Sequence, residues 1–443
     1  MISETLGGEL ARLVRARQRE WRAPGLVGAL YRHGERIWDC AVGLADVADG
    51  TRMDVSHQFQ IGSITKTFTA VAVMQLVAER RLDLEAPIHE VLTAQPPRPA
   101  LTVRRLLSHA SGLQREPVGA RWDVPSFADT ADMVTSLPEA EEVMPPGERW
   151  HYSNLAFAIL GAVVAELTGQ PYAVALRERV LDPAGCGRTH FRAEPPHTRG
   201  YNVMPFSDAA YEEPVIDYGG WEAAGELWSI ADDLGSWSEV LAGVVPGVLD
   251  GPFAERMHLP QVMFDPERFS LAYGLGLMLG RRGDRVYAGH GGAMPGYRSA
   301  LFLHRGERIA AVVLANTGVA STEGLAADLL DCVVDHVAEI PEWRPAPEPP
   351  ADVTELLGVW WSEGSPFTIR WIGDALEISG DFAGPPARLA TVAPDRYRVV
   401  EGRERGEILA VVRDPGGHAI ELNWASYPMV REPPKRTVGP DPY

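Results

Sequence analysis

Apolar residues recur at helical spacing at the start of the chain, where Leu6, Leu10, Leu13 and Val14 mark one face of residues 3–21. The period then shortens. Residues 26–31 and 36–42 read as two strands joined at His33-Gly34. Residues 65–80 return to helix, with Phe68, Val71, Ala72, Leu76 and Val77 on or near one face. More helices are predicted as far as about residue 190, among them 155–167. Strand patterns resume near residue 265, over 271–279, 285–288, 299–304 and 309–314, and a helix over 324–338 closes the run. Strands at both ends of a helical middle predict one sheet assembled from distant segments.

Residues 341–350 are proline-rich and predict a stiff linker. Beyond it the pattern is all strands and turns. Residues 367–372 and 375–378 flank Gly373-Asp374, and 408–413 and 419–424 flank Asp414-Pro415-Gly416-Gly417. Both pairs read as hairpins, and a unit of this size predicts a small barrel or sandwich. The expected division is 1–340, a linker at 341–351, and 352–443.

Composition narrows the function. The 443 residues are 45% hydrophobic and 23% charged, as in soluble globular proteins. A net charge of −19 argues against nucleic acid and anionic membrane as partners. Cys40, Cys186 and Cys332 are scattered and odd in number, which reads as reduced thiols in a cytoplasmic protein. The first residues show neither a basic start nor an apolar run, so no signal peptide or membrane span is expected. No metal site or cofactor motif is read.

The cation usage is the sharpest signal. Of 41 Lys plus Arg, only Lys66 and Lys435 are lysine. Arginine stays protonated near neutral pH, whereas a desolvated lysine gives up its proton. Lys66 follows Ser63 by three residues, on the same face of a helix start, in the Ser-x-x-Lys arrangement of an amine-activated serine. A turn then delivers Tyr152-Ser153-Asn154 ahead of an apolar helix. There Tyr152 is a candidate proton relay, and Asn154 is a candidate partner for Lys66 or simply a helix cap. The third element is His290-Gly291-Gly292-Ala293, a glycine-rich strand edge that lets a ligand lie against backbone. His290 there is a candidate donor or proton carrier.

Together these residues resemble the penicillin-binding-protein and serine β-lactamase family, whose motifs Ser-x-x-Lys, Tyr-x-Asn and Lys/His-x-Gly stand here in order. The strings Leu106-Leu107-Ser108-His109-Ala110-Ser111-Gly112-Leu113 and Ala223-Ala224-Gly225-Glu226-Leu227-Trp228-Ser229 also look like the family. The resemblance covers roughly residues 10–340. It implies an α+β domain: an antiparallel sheet flanked by helices, with a helical subdomain. It implies Ser63 as nucleophile, Lys66 as base, Tyr152 as proton shuttle, and an oxyanion hole from the N–H groups of Ser63 and Ala293. Trp221, Gly225, Glu226, Trp228, Gly291 and Gly292 are the candidate substrate-binding residues. His290 replaces the lysine common in the third motif and Gly291 lacks a hydroxyl, which weakens an anchor for a β-lactam carboxylate.

One branch is most similar: the stand-alone thioesterases of penicillin-binding-protein type, which carry a lipocalin-like β-barrel after the hydrolase domain. This resemblance implies a peptide taken from the carrier protein of a nonribosomal peptide synthetase onto Ser63 and released by macrolactam closure. Arg388, Arg396, Arg398, Arg403 and Arg405 are then a candidate face for an acidic carrier. A hydrolase of the same fold, whether esterase, D-amino-acid amidase or peptidase, or β-lactamase, stands as the alternative. A non-catalytic ligand sensor is a third reading, against which the complete motifs speak.

Overall fold

The computed structural model describes residues 2–433 apart from 94, 96, 97, 99, 123–126, 217, 338–341, 346, 347 and 381–384. Lys435 lies outside the described residues, as do Pro341, Ala346 and Pro347 of the proline-rich stretch. The chain divides into two compact units, Met1–Glu339 and Ile340–Tyr443.

In the first unit, helix α1 (Glu4–Trp21) is capped by the Ser3 hydroxyl, which accepts from Leu6 N–H. Strands β1 (Gly25–Arg32) and β2 (Glu35–Gly43) form the first hairpin. Helix α2 (Thr65–Ala78) and helix α3 (Asn154–Thr168) follow, with shorter helices around them. The later strands are β3 (Val262–Met263), β4 (Leu271–Tyr273), β5 (Met278–Arg282), β6 (Arg285–Met294), β7 (Tyr297–His304) and β8 (Ile309–Ala315). Helix α4 (Thr322–Val337) closes the unit.

The sheet is antiparallel in the order β2-β1-β8-β7-β6-β5-β4-β3. Leu26 of β1 pairs with Ala315 of β8, so the two ends of the unit meet in neighbouring strands. One face packs on α1 and α4 through Leu10, Val14, Leu329 and Val333. The other packs on the helical layer through Val27, Phe68, Val71 and Leu301.

Two expectations need correcting. Residues 271–279 are not one strand. Gly274–Leu277 turn the chain between β4 and β5, and Leu275 and Leu277 are fully buried in that loop. Gly276 has φ +78°, and a Cβ there would stand 2.2 Å from the Ala70 Cβ. A buried apolar loop has the composition of a strand, so pattern alone merges the pieces. Nor does α2 bury one face only. Its residues from Thr65 to Leu76 are all buried, because the helix runs between the sheet and the other helices.

The second unit is a nearly closed antiparallel barrel: β9 (Gly358–Ser362), β10 (Ser365–Ile372), β11 (Ala375–Gly380), β12 (Ala387–Ala393), β13 (Arg396–Glu401), β14 (Ile408–Arg413), β15 (Ala419–Trp424) and β16 (Tyr427–Met429). Trp361 and Val430 exchange backbone hydrogen bonds of 2.6 and 2.9 Å where the first and last strands meet. Alternation supplies the core: Phe367 and Ile369 point in from β10 while Arg370 faces out.

Candidate active site

Ser63 stands in a single 3₁₀ turn, Gly62–Ile64, that feeds directly into α2. The turn lies against the unpaired end of β6. Strand β5 accompanies β6 only as far as Gly289, whereas β7 continues to Met294. A two-residue turn closes β6 on β7, so Met294 and Tyr297 face each other as a hydrogen-bonded pair and Ala293 presents its N–H to the free edge. A Cβ built on Gly62 would stand 2.7 Å from Ala293 N, and Gly62 has φ +51°. Glycine is required there by space and by backbone angle. The N–H of Ala293 and the turn carrying Ser63 are thereby brought together.

Lys66 is fully buried. Its Nζ lies 3.0 Å from Ser63 Oγ, 2.8 Å from Asn154 Oδ1 and 2.6 Å from the Ala224 carbonyl oxygen. Burial holds its pKa well below the ordinary lysine value; the Glu116 carboxylate opposes that shift and Arg115 adds to it. Two of the three neighbours are carbonyl oxygens, which only accept. A neutral amine has two N–H groups and one lone pair. In that form the hydrogens can serve the two carbonyls, and the lone pair can accept the Ser63 proton.

The Tyr152 hydroxyl lies 2.6 Å from Ser63 Oγ. Burial raises its pKa above the ordinary phenol value, so it is a proton donor at rest. Its ring has Lys66 Nζ 5.0 Å from its centroid and the Arg115 guanidinium carbon at 4.8 Å. Ser153 caps α3, its Oγ accepting from Ala156 N–H at 3.1 Å. The cap is therefore Ser153 and not Asn154, whose amide is left for Lys66.

His290 is buried behind this cluster, its ring centroid 6.4 Å from that of Tyr152. Its Nδ1 lies 2.5 Å from the Gly291 carbonyl oxygen, and its Nε2 2.9 Å from the Tyr273 hydroxyl. The carbonyl only accepts, so Nδ1 carries the proton and Nε2 accepts from Tyr273. Desolvation, helped by Lys66, lowers the His290 pKa to about 3. It is a neutral, tethered ring at the floor of the site.

The candidate substrate residues separate into three groups. Glu226 and Trp228, with Gln60, His197 and Tyr297, line a cavity of about 340 Å³ beside the strand that leads to Ser63. Gly225 packs on the nucleophile turn, its Cβ position 3.8 Å from the Gly62 carbonyl carbon. Trp221 faces elsewhere: it stacks on Phe127 at 5.3 Å and 5° in a cluster with Trp122 and Tyr218. At Gly291 and Gly292 the space is taken by the protein itself. A Cβ would meet the Glu323 carboxylate at 2.2 Å in the first case and the Ile61 carbonyl oxygen at 2.0 Å in the second.

Sequence reasoning missed Glu116, Arg115, the Ala224 carbonyl and Tyr273. The neighbouring string ending in Gly112-Leu113 was the available signal for the first two. A backbone carbonyl leaves no signal. Among the described residues, no group of three or more His, Cys, Asp or Glu is placed to hold a metal ion.

The Beta-lactamase family profile matches residues 10–333. This chain belongs to the β-lactamase family. A second profile, "Domain of unknown function (DUF7586)", matches residues 349–431. Esterase EstB of Burkholderia gladioli is 30% identical over 72% of this chain and 92% of its own. The structure of SurE is 26% identical and aligns over 97% of this chain and 99% of its own, with a TM-score of 0.62. The D-amino acid amidase of Ochrobactrum anthropi SV3, complexed with D-phenylalanine, is 25% identical over 75% of this chain and 99% of its own, with a TM-score of 0.64.

Proposed function

We propose that this protein is a serine acyltransferase that takes a linear peptide from a carrier-protein thioester and releases it as a macrolactam. The observation that carries the chemistry is the buried Lys66 amine, 3.0 Å from Ser63 Oγ and held by two carbonyl oxygens, with burial lowering its pKa. Ser63 Oγ attacks the thioester carbon and Lys66 takes its proton. The N–H groups of Ser63 and Ala293 hold the oxyanion. The thiol leaves with a proton passed through Tyr152. The peptide's own amine then attacks acyl-Ser63, and the oxygen recovers its proton by the same route.

One comparison supports the transfer reading. SurE, a thioesterase of penicillin-binding-protein type, aligns over both units, whereas EstB and the amidase align over about three quarters of the chain. The amidase is named for D-amino acids, which supports a D-configured residue at the acyl position, although it was captured with L-phenylalanine as well as with D-phenylalanine. The carrier of a nonribosomal peptide synthetase is the proposed donor, in the cytoplasm, and Arg396 and Arg398 on the exposed face of β13 suit an acidic partner. The identity to EstB favours ester hydrolysis as the second reading.

The deciding test is a linear peptidyl thioester of a small thiol, with a free N-terminus and a D-configured C-terminal residue. A tethered amine has a high effective concentration at acyl-Ser63. The expected product by mass spectrometry is cyclic, one water lighter than the linear acid, and blocking the N-terminus should leave slow hydrolysis. Only linear acid from varied free-amine substrates, beside fast turnover of simple esters, would establish the hydrolase instead.

A further inference from the structure

Asn154 holds Lys66 and is itself held. Its Nδ2 donates to both carboxylate oxygens of Glu116, at 3.0 and 3.1 Å, while its Oδ1 accepts from Lys66. The two ends of a carboxamide have nearly the same shape. Turned over, this one would set its NH₂ against the lysine and its oxygen against a carboxylate. An ionised carboxylate only accepts, so Glu116 tolerates one orientation alone. With the amide oxygen facing Lys66, one lysine hydrogen is committed to it and a second to Ala224. With NH₂ there instead, the lysine lone pair would be drawn to the amide and away from Ser63.

We propose that Glu116 is a positioning residue for the acyl-transfer reaction, locking the Asn154 amide so that the Lys66 lone pair is left to Ser63. The proposal rests on the acyl-Ser63 reading. Two further contacts fix Glu116 itself. Arg115 Nε lies 3.2 Å from its Oε1. The Arg115 carbonyl accepts from the N–H groups of Asn154 and Leu155 at 2.7 and 3.2 Å. The loop carrying Glu116 is thus tied to the same helix start that carries Asn154. The groups around Lys66 are Ser63 from its own turn, Tyr152 and Asn154 ahead of α3, Arg115 and Glu116 from their loop, and the buried rings of His109 and His290. Glu116 is the group that supports the charged form of the lysine, so it has two separable effects: orientation through Asn154 and charge through space.

The test uses the full chain and p-nitrophenyl butyrate, with the acylation burst followed against pH and Ser63 labelling read by mass spectrometry. Glu116→Gln presents an amide that pairs with either end of Asn154. Its plateau burst rate should fall about ten-fold or more, part of the roughly 10²–10⁴ that a positioned base supplies. Its acid limb should move to lower pH, because the carboxylate no longer favours the ammonium. Glu116→Asp should recover part of the rate. In an Asn154→Ala background, Glu116→Gln should add no further loss. Glu116→Ala gives a second reading of the same cycle if Glu116→Gln folds poorly. An unchanged Glu116→Gln profile, or an equal loss in both backgrounds, would overturn the proposal while leaving Ser63 as nucleophile. An unlabelled Ser63 in the unaltered chain would overturn the acyl-serine reading and this one with it.

Discussion

For Lys66, burial and proposed role rest on the same fact. Its amine has no exposed surface and three polar neighbours, so a permanent charge there would carry a desolvation cost of several kcal/mol. Lys66→Arg keeps the cation and loses the removable proton, and a guanidinium cannot offer a lone pair to Ser63. We expect it to lower the Ser63 acylation rate about 10²–10⁴-fold, as Lys66→Ala does, with circular dichroism unchanged. Appreciable burst activity in Lys66→Arg would refute the base assignment. At this scale the sequence was informative where residues come as spaced types. Ser63 with Lys66, and Tyr152 with Asn154, are short patterns, and the scarcity of lysine sharpened the first. Glu116 was invisible because a single glutamate in an acidic chain has no pattern. Its role appears only when Arg115 and the start of α3 are tied by backbone hydrogen bonds.

At the scale of elements, the site is a turn laid against a strand that has outrun its neighbour. That geometry is crowded. Gly62 lies under Ala293 N, Gly292 under the Ile61 carbonyl, and Ser299 Oγ donates to that same carbonyl at 2.7 Å. Gly62→Ala adds a Cβ at a positive φ and into a 2.7 Å gap. We expect it to lift the turn from β6, cutting acylation by about 10²-fold or more through the oxyanion hole. The loss of stability should be only about 1–3 kcal/mol. Burst kinetics beside urea unfolding measure the two separately, and equal small losses in both would mean that the gap is not catalytic. The sequence showed that glycines cluster at 289, 291 and 292 but not what they face. Their missing side chains make room for the protein's own carbonyl and carboxylate groups. The same limit explains the merged strand over 271–279, since a loop buried between β4 and β5 is as apolar as the strands it joins.

Over the whole molecule, every residue placed at the site belongs to the first unit, and the barrel matches a separate family profile. A chain ended after Pro350 should therefore fold and still acquire a butyryl group on Ser63, with mass spectrometry as the readout. A folded but unlabelled product would mean that the barrel contributes to acylation itself. The change of period at the proline-rich stretch was visible in the sequence. The strand order of the sheet was not, because register depends on contacts hundreds of residues apart. That separation has a consequence in the cell. Leu26 pairs with Ala315, and ribosomes add about 5–20 residues per second, so the opening hairpin emerges roughly 15–60 s before its partner β8 exists. Throughout that interval β1 offers an apolar edge with no neighbour. Ala293, the proposed oxyanion donor, also emerges late. Translation cut short before β8 would thus leave a nascent chain with an unpaired apolar edge, the kind of surface that sticks to its neighbours.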